Sequence, residues 1–192
     1  MRELSLHILD IVENSLAAGA TLITVVVHDN RSAGRLTLRI EDNGRGVPPA
    51  VLENIFDPFV TSRTTRRVGL GLSLLREAAL RCGGTCSVQS TEGKGTTVTA
   101  IFRTDSIDMP PWGDMSETMT GLIAAHPDAS FVYRHSIDNR VFVFSTQQLE
   151  DEIKGLSMNH PEVLRYIAQE IKEGLASLDI AAPWGASDSS DS

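Results

Sequence analysis

Long apolar runs are missing from this chain. Nowhere in its 192 residues does a hydrophobic stretch approach the roughly 18 residues that a membrane-spanning helix needs. The opening segment MRELSLHILD carries charges inside its apolar pattern, so it lacks the character of a secretion signal. The expected location is the cytoplasm, with no membrane partner. Cysteine is scarce as well: Cys82 and Cys86, in CGGTC, are the only two. One pair cannot build a disulfide scaffold, and a C-x-x-x-C without further Cys or His beside it is a weak metal signal. Two small buried residues near a helix end is the reading that fits. Positive charge is also in short supply. The formal net charge is -8, and only RTTRR (63–67) approaches a basic cluster. A general DNA or RNA surface requires a basic stripe, so no nucleic-acid partner is expected. Finally, there is no G-x-x-x-x-G-K-[ST] run, which excludes a Walker-type phosphate loop.

What remains is an ordinary globular composition, 41% hydrophobic and 22% charged, long enough for one domain and a small second one. Leu4, Ile8, Ile11 and Val12 fit one stripe of a helix over residues 4–17, with Gly19 past its end. TLITVVVHD (21–29) and RLTLRIED (35–42) read as strands joined by the hairpin loop NRSAG. A glycine and proline loop, DNGRGVPP, leads into a short helix, AVLENIF. A polar stretch, TSRTTRR, precedes a glycine-led helix, GLGLSLLREAALRCGG. TCSVQST and TTVTAIFRT are strands around a second hairpin, EGKG. Residues 1–104 are thus expected to form an α+β sandwich, with helices covering one face of a mixed, mostly antiparallel sheet.

DSIDMPPWGD (105–114) reads as a linker, because its two prolines cannot continue a helix or strand interior. Residues 115–180 are expected to form a small α+β region: a helix ending near AAHPD, a hairpin FVYRHSIDNRVFVF turning at DN, and two further helices. Val163, Ile167 and Ile171 share one face of the last helix. The hairpin would expose an apolar face or edge, so it either packs on the first domain or makes a partner or homodimer contact. Trp112 and Trp184 flank this region as anchors or as core residues. The acidic tail, 181–192, is expected to be disordered.

Several short signals carry chemistry. Asp10 and Asn14 are four residues apart and share a helix face, with His7 one turn earlier. An amide oxygen at Asn14 suits magnesium, which takes oxygen ligands and keeps phosphates and waters. Asp10 is placed to position or deprotonate an attacking group; a wet surface face explains the same residues equally well. In EDNGRG, Asp42 stands at a strand end and is able to accept a hydrogen bond from a base amino group. Gly44 and Gly46 let the backbone turn close to a ligand, although Asp-Asn-Gly is also a common plain turn. Gly69, Leu70, Gly71 and Leu72 open a helix, whose free N–H groups suit phosphate. In GKGTT, Thr96 begins the last strand of the first domain, where a hydroxyl is able to help bind a base such as adenine.

Each piece is weak alone; their order is specific. The run of helix-Asn, D-x-G-x-G, F-D-P-F, G-x-G-L and G-x-G-T resembles the GHKL, or Bergerat-fold, ATPases, which include histidine kinases, heat-shock chaperones, type II topoisomerases and mismatch-repair ATPases. The resemblance covers roughly residues 4–103. It implies ATP and magnesium as cofactors. By resemblance, Asn14 holds the magnesium, Asp42 reads the adenine amino group, and Gly44 and Gly46 line the base pocket. Thr96 backs the adenine, and Phe59 ends the F-D-P-F segment that borders a mobile lid over about 60–68. Gly69 to Leu72 take the phosphates. Arg63, Arg66 and Arg67 would neutralise phosphate charge or simply form a solvated basic loop. IVENSLAAGAT leans towards the mismatch-repair type, in which a glutamate four residues before the asparagine activates water. Here that position is Asp10, and the family's later aspartate is Ala18. The IFDPFVTSR and VGLGLSLLREAA segments, with a short lid, lean towards the histidine kinases.

No phosphoacceptor hairpin precedes the asparagine helix in the sequence given. His7 is read as structural, and His126 and His160 precede prolines, which suits turns. The expectation is a kinase-like ATP domain acting on a separate protein, at histidine or serine. The alternative is a nucleotide-gated interaction module with slow or absent hydrolysis, and a mismatch-repair-like ATPase ranks third.

Overall fold

The computed structural model describes residues 2–57, 70–153 and 155–178. Phe59, Arg63, Arg66, Arg67, Gly69, Trp184 and the acidic tail therefore lie outside the described residues.

The chain opens with α1 (Leu4–Ala17), whose Leu4, Ile8, Ile11 and Val12 are all at most 3% exposed. The stripe seen in the sequence is thus the buried face. The first N–H groups of a helix have no partner within it. Here the linker supplies two: Leu4 N–H donates to Pro111 O (2.9 Å) and Ser5 N–H to Trp112 O (3.0 Å). The helix stops at Ala18, and Gly19 takes φ +79°, a left-handed turn that glycine adopts without strain.

Next come β1 (Leu22–Asn30), β2 (Arg35–Asp42), the short α2 (Pro49–Leu52), α3 (Leu70–Arg81), β3 (Thr85–Thr91) and β4 (Gly95–Arg103). Then follow α4 (Met115–Ala125), β5 (Ser130–Ile137), β6 (Arg140–Ser145), α5 (Thr146–Glu152) and α6 (Pro161–Ser177). The six strands form one sheet in the order β3-β4-β2-β1-β5-β6. Every neighbouring pair is antiparallel except β1 and β5. The FVYRHSIDNRVFVF hairpin therefore joins the sheet directly: β5 runs parallel to β1, from Leu22↔Ser130 to Asp29↔Ile137.

Register places the core. Val25 stands opposite Ile40 and Tyr133, and Ile40 opposite Val98. Alternation then puts Ile23, Val25, Val27, Leu36, Leu38, Ala100, Phe102 and Phe131 on one face, all buried. Fully burying an aliphatic side chain is worth about 1.5–3 kcal/mol, so this face dominates the stability of the sheet. Beside the buried stripe of α1, α3 contributes Leu75 and Ala79, and α4 contributes Met119, Leu122 and Ile123, to the same core. The fold is α+β, with helices on one side of a mixed sheet.

α4 and α6 are capped and crossed. Asp114 accepts a hydrogen bond from Glu117 N–H (2.8 Å) at the start of α4. His160 accepts one from Glu162 N–H (3.3 Å) ahead of Pro161, a residue well suited to a helix start. Ser116 Oγ donates to Ala168 O (2.7 Å) where the two helices meet. Val163, Ile167 and Ile171 form the buried stripe of α6. Cys82 and Cys86 are free thiols, one buried and one half-buried in β3; burial pushes the Cys86 thiol up to about 11.

Candidate functional site

Asp42, at the end of β2, is the centre of a hydrogen-bond cluster. Its Oδ1 accepts from Gly44 N–H (2.8 Å) and Thr96 N–H (3.3 Å), and its Oδ2 accepts from Ser15 Oγ (2.7 Å). The carboxylate is therefore aimed by three donors: Oδ1 is filled by two backbone N–H groups, while Oδ2, with one donor, retains acceptor capacity. Thr96 Oγ1 lies 2.9 Å from Ser90 Oγ, and the Ser90 hydroxyl donates to Gly95 O (2.9 Å) while accepting from Val47 N–H (2.8 Å). With the Ser90 hydrogen so used, Thr96 is the donor of that pair. A cavity of about 520 Å³ opens here, lined by Asp42, Leu52, Val88, Ser90, Lys94 and Thr96, among others. Small-molecule sites commonly fall in this size range.

The D-N-G-R-G loop is held against the end of α1. Asn43 Oδ1 accepts from Thr21 N–H (2.8 Å) and Leu22 N–H (2.9 Å), and Arg45 N–H donates to Ala18 O (3.0 Å). A methyl at Gly44 would stand 3.0 Å from Asp42 Oδ1 and 3.1 Å from Ala18 O. Gly46 needs to be glycine twice over: its φ is +69°, and a methyl there would lie 2.2 Å from Thr91 O.

A second cluster joins α1 to α3. A methyl at Gly71 would lie 2.8 Å from Asp10 Cβ and 3.0 Å from Asp10 Oδ2, so glycine is what lets the start of α3 approach Asp10. Asp10 pairs with Arg2 at 2.7 Å. Burial raises the Asp10 carboxyl above its ordinary range, and the Arg2 guanidinium opposes that rise. Leu70 is exposed at the start of α3, while Leu72 belongs to the apolar core.

α1 thus carries Asp10 towards α3 and Ser15 towards Asp42. Asn14 is exposed between them, and its amide makes no hydrogen bond among the described residues. His7 is 2% exposed; burial, with help from Arg2 and Arg81, pulls its pKa down to about 4, so it is neutral at physiological pH. His126 caps the end of α4, and its Nε2 lies 3.3 Å from Glu13 Oε1.

Three contributors had no strong signal in the sequence. Ser15 follows Asn14 and reads as one more polar residue of the helix. Ser90 lies in a strand whose other positions also carry small polar side chains. Arg76, whose guanidinium sits 4.7 Å above the Phe56 ring, ties α3 to the F-D-P-F segment through a cation–π contact. The alternation of β3 towards β4 would have placed Ser90 opposite Thr96, had the register been known.

Among the described residues, no group of three or more His, Cys, Asp or Glu is placed to hold a metal ion. An exposed amide at Asn14, one turn of α1 from Asp10, suits an ion that takes much of its coordination from phosphates and water. No described helix is long and apolar enough to cross a membrane.

Comparison with known proteins bears on the family and the fold. The model of the family described as "Histidine kinase-, DNA gyrase B-, and HSP90-like ATPase" matches residues 2–106, more than half of the chain. A putative sensor protein of Shewanella frigidimarina is 35% identical over 97 residues, 50% of this chain and 15% of that protein. The sensor protein kinase WalK of Staphylococcus haemolyticus is 30% identical over 112 residues, 55% of this chain and 18% of WalK. The sensor kinase CckA of Brucella abortus is 40% identical over 70 residues, 36% of this chain and 7% of CckA. The chain therefore spans less than a fifth of the length of these relatives. The crystal structure of the N-terminal domain of a DNA repair protein shares the fold, with a TM-score of 0.53 at 16% identity over 91% of this chain and 59% of that one. With its motifs, its sheet and this match in accord, the chain belongs to the histidine kinase-, DNA gyrase B- and HSP90-like ATPase family.

Proposed function

We propose that this protein binds ATP with magnesium and transfers the γ-phosphoryl group to a separate protein, at a histidine or serine. The observation that carries the reading is the Asp42 cluster: a carboxylate fixed by Ser15, Gly44 and Thr96 at the mouth of a cavity of about 520 Å³. Adenine presents an amino donor that such an acceptor recognises, whereas guanine presents a carbonyl at the same place. The nucleotide base lies against Val88 and Thr96, and the triphosphate runs towards the start of α3, where the helix dipole favours anions. Asn14, with the phosphates, would hold the magnesium, which would supply charge neutralisation there. Asp10, raised by burial, accepts a proton from the attacking group or orients it. The relatives named as sensor kinases support a kinase assignment, and the cytoplasm is the location that suits it.

One observation favours a second reading. Arg2 already occupies Asp10 at 2.7 Å, which would leave the protein a nucleotide-gated interaction module with little turnover. Incubation of the whole protein with γ-labelled ATP and magnesium separates the two. Label on a co-purifying protein supports transfer. Saturable binding without released phosphate or protein label supports the module. Absence of saturable ATP binding sinks both.

A further inference from the structure

A larger cavity, of about 840 Å³, lies away from Asp42, between α4 and α6 and under Trp112. Its floor is His135 on β5, which is 0% exposed. Trp112 stacks obliquely on the imidazole, with ring centroids 5.0 Å apart. The Tyr133 hydroxyl lies 2.7 Å from His135 Nδ1. Tyr133 is fully buried, and Nδ1 is the one acceptor its hydroxyl hydrogen meets among the described residues, so the hydroxyl is assigned as donor to Nδ1. The remaining nitrogen, Nε2, then carries the imidazole hydrogen, and it has no partner. Thr120 Oγ1, on α4 at the same cavity, is buried and unpartnered too. Buried polar atoms are almost always satisfied, and leaving one bare costs free energy comparable to a lost hydrogen bond.

The walls explain why the room exists. Gly121, Ala124 and Ala168 are small where α4 faces α6, and a methyl at Gly121 would meet nothing within 4 Å. At the exposed mouth Asp114 and Glu117 oppose Arg165 and Lys172, two charges of each sign. No net field there favours an ion.

We propose that this cavity is a binding site for a small uncharged molecule carrying a carbonyl-type hydrogen-bond acceptor on a flat or apolar body, anchored by His135 Nε2–H. The site is independent of the nucleotide reading. Benzamide, toluene and benzoate serve as probes on the full chain bearing Trp184→Phe, so that Trp112 is the only tryptophan and is excited selectively at the red edge, where Tyr133 and Tyr166 do not absorb. Benzamide is expected to saturate a change in Trp112 emission and in the His135 imidazole NMR signals. It should bind at least about tenfold more tightly than toluene, because only benzamide satisfies the buried donor. Gly121→Phe, which projects a ring into open space, should abolish the response with the far-UV spectrum unchanged. The pair Tyr133→Phe with His135→Phe removes donor and hydroxyl together and should erase the preference for benzamide over toluene. Equal binding of toluene and benzamide, tighter binding of benzoate, benzamide binding that survives Gly121→Phe, or no saturable benzamide binding at all would each overturn the proposal.

Discussion

Asp42→Asn gives the sharpest test of the nucleotide site. The substitution keeps the size of the side chain and replaces one oxygen by an NH2 group. The structure dictates which oxygen is lost. Oδ1 faces two backbone donors, Gly44 N–H and Thr96 N–H, so an amide nitrogen cannot sit there. The nitrogen must take the Oδ2 position, 2.7 Å from Ser15 Oγ. Ser15 tolerates this, because its hydroxyl is able to donate to Ile11 O at 3.2 Å and accept from the new amide. The cost to folding is then the difference between charged and neutral hydrogen bonds, about 1 kcal/mol. The cost to ATP is larger. The adenine amino group loses a charged acceptor worth about 1.5–3 kcal/mol and meets a donor, so Kd for ATP should rise by about one to two orders of magnitude. Calorimetry with ATP and with GTP reads this directly, and urea unfolding checks the fold separately. ATP affinity unchanged within about threefold, or GTP binding as tightly as ATP in the parent protein, would refute the reasoning.

Asn14→Ala should abolish the magnesium dependence of ATP binding while leaving the urea midpoint in place, since the amide bonds nothing among the described residues. Equal affinity with and without magnesium in the parent protein would contradict this role. Gly71→Ala should cost about 1–3 kcal/mol in stability, because its methyl would stand 2.8 Å from Asp10 Cβ and must part α1 from α3; a variant as stable as the parent would mean the helices are not so closely set. His7, with its folded pKa depressed to about 4 from 6.5, contributes stability that is present above pH 6.5 and is lost as pH falls through 4, an effect of up to about 3 kcal/mol. His7→Phe should therefore flatten the acid limb of stability against pH, measured by urea midpoints; an unchanged slope would show that His7 ionises freely in the fold. Arg2→Ala removes the cation that holds the Asp10 pKa down, so that pKa should climb further when followed by carboxyl NMR, and an unmoved titration would deny the ion pair.

Much of this was legible in the sequence, for identifiable reasons. The period-2 pattern of Leu36, Leu38 and Ile40 survives in the fold because only one face of β2 is buried. The spacing of Val163, Ile167 and Ile171 survives for the matching reason in α6. Asp42, Gly44 and Thr96 were found as separate signals, and the structure shows them sharing one carboxylate. The role of Ser15 was not legible, because it depends on a contact 27 residues away in sequence. The partner of the β5–β6 hairpin was equally hidden. Alternation shows that Phe131 and Tyr133 face one way but not which strand they run beside, and a parallel neighbour leaves no turn signal between β1 and β5. The pairing of His135 with Tyr133 reflects strand spacing of two, yet nothing local marks the imidazole as short of a partner.

The place of β1 in the sheet sets a limit on how this molecule can be divided. A fragment ending at residue 106, where the family match stops, would strip β5 from the side of β1 and leave LITVVVHDN as a bare border of unpaired amides. It would also remove the two carbonyls that meet the first amides of α1. Valine-rich borders of this kind recruit strands from other molecules. The excised portion should cling to itself in solution, and its α1 should fray from the front.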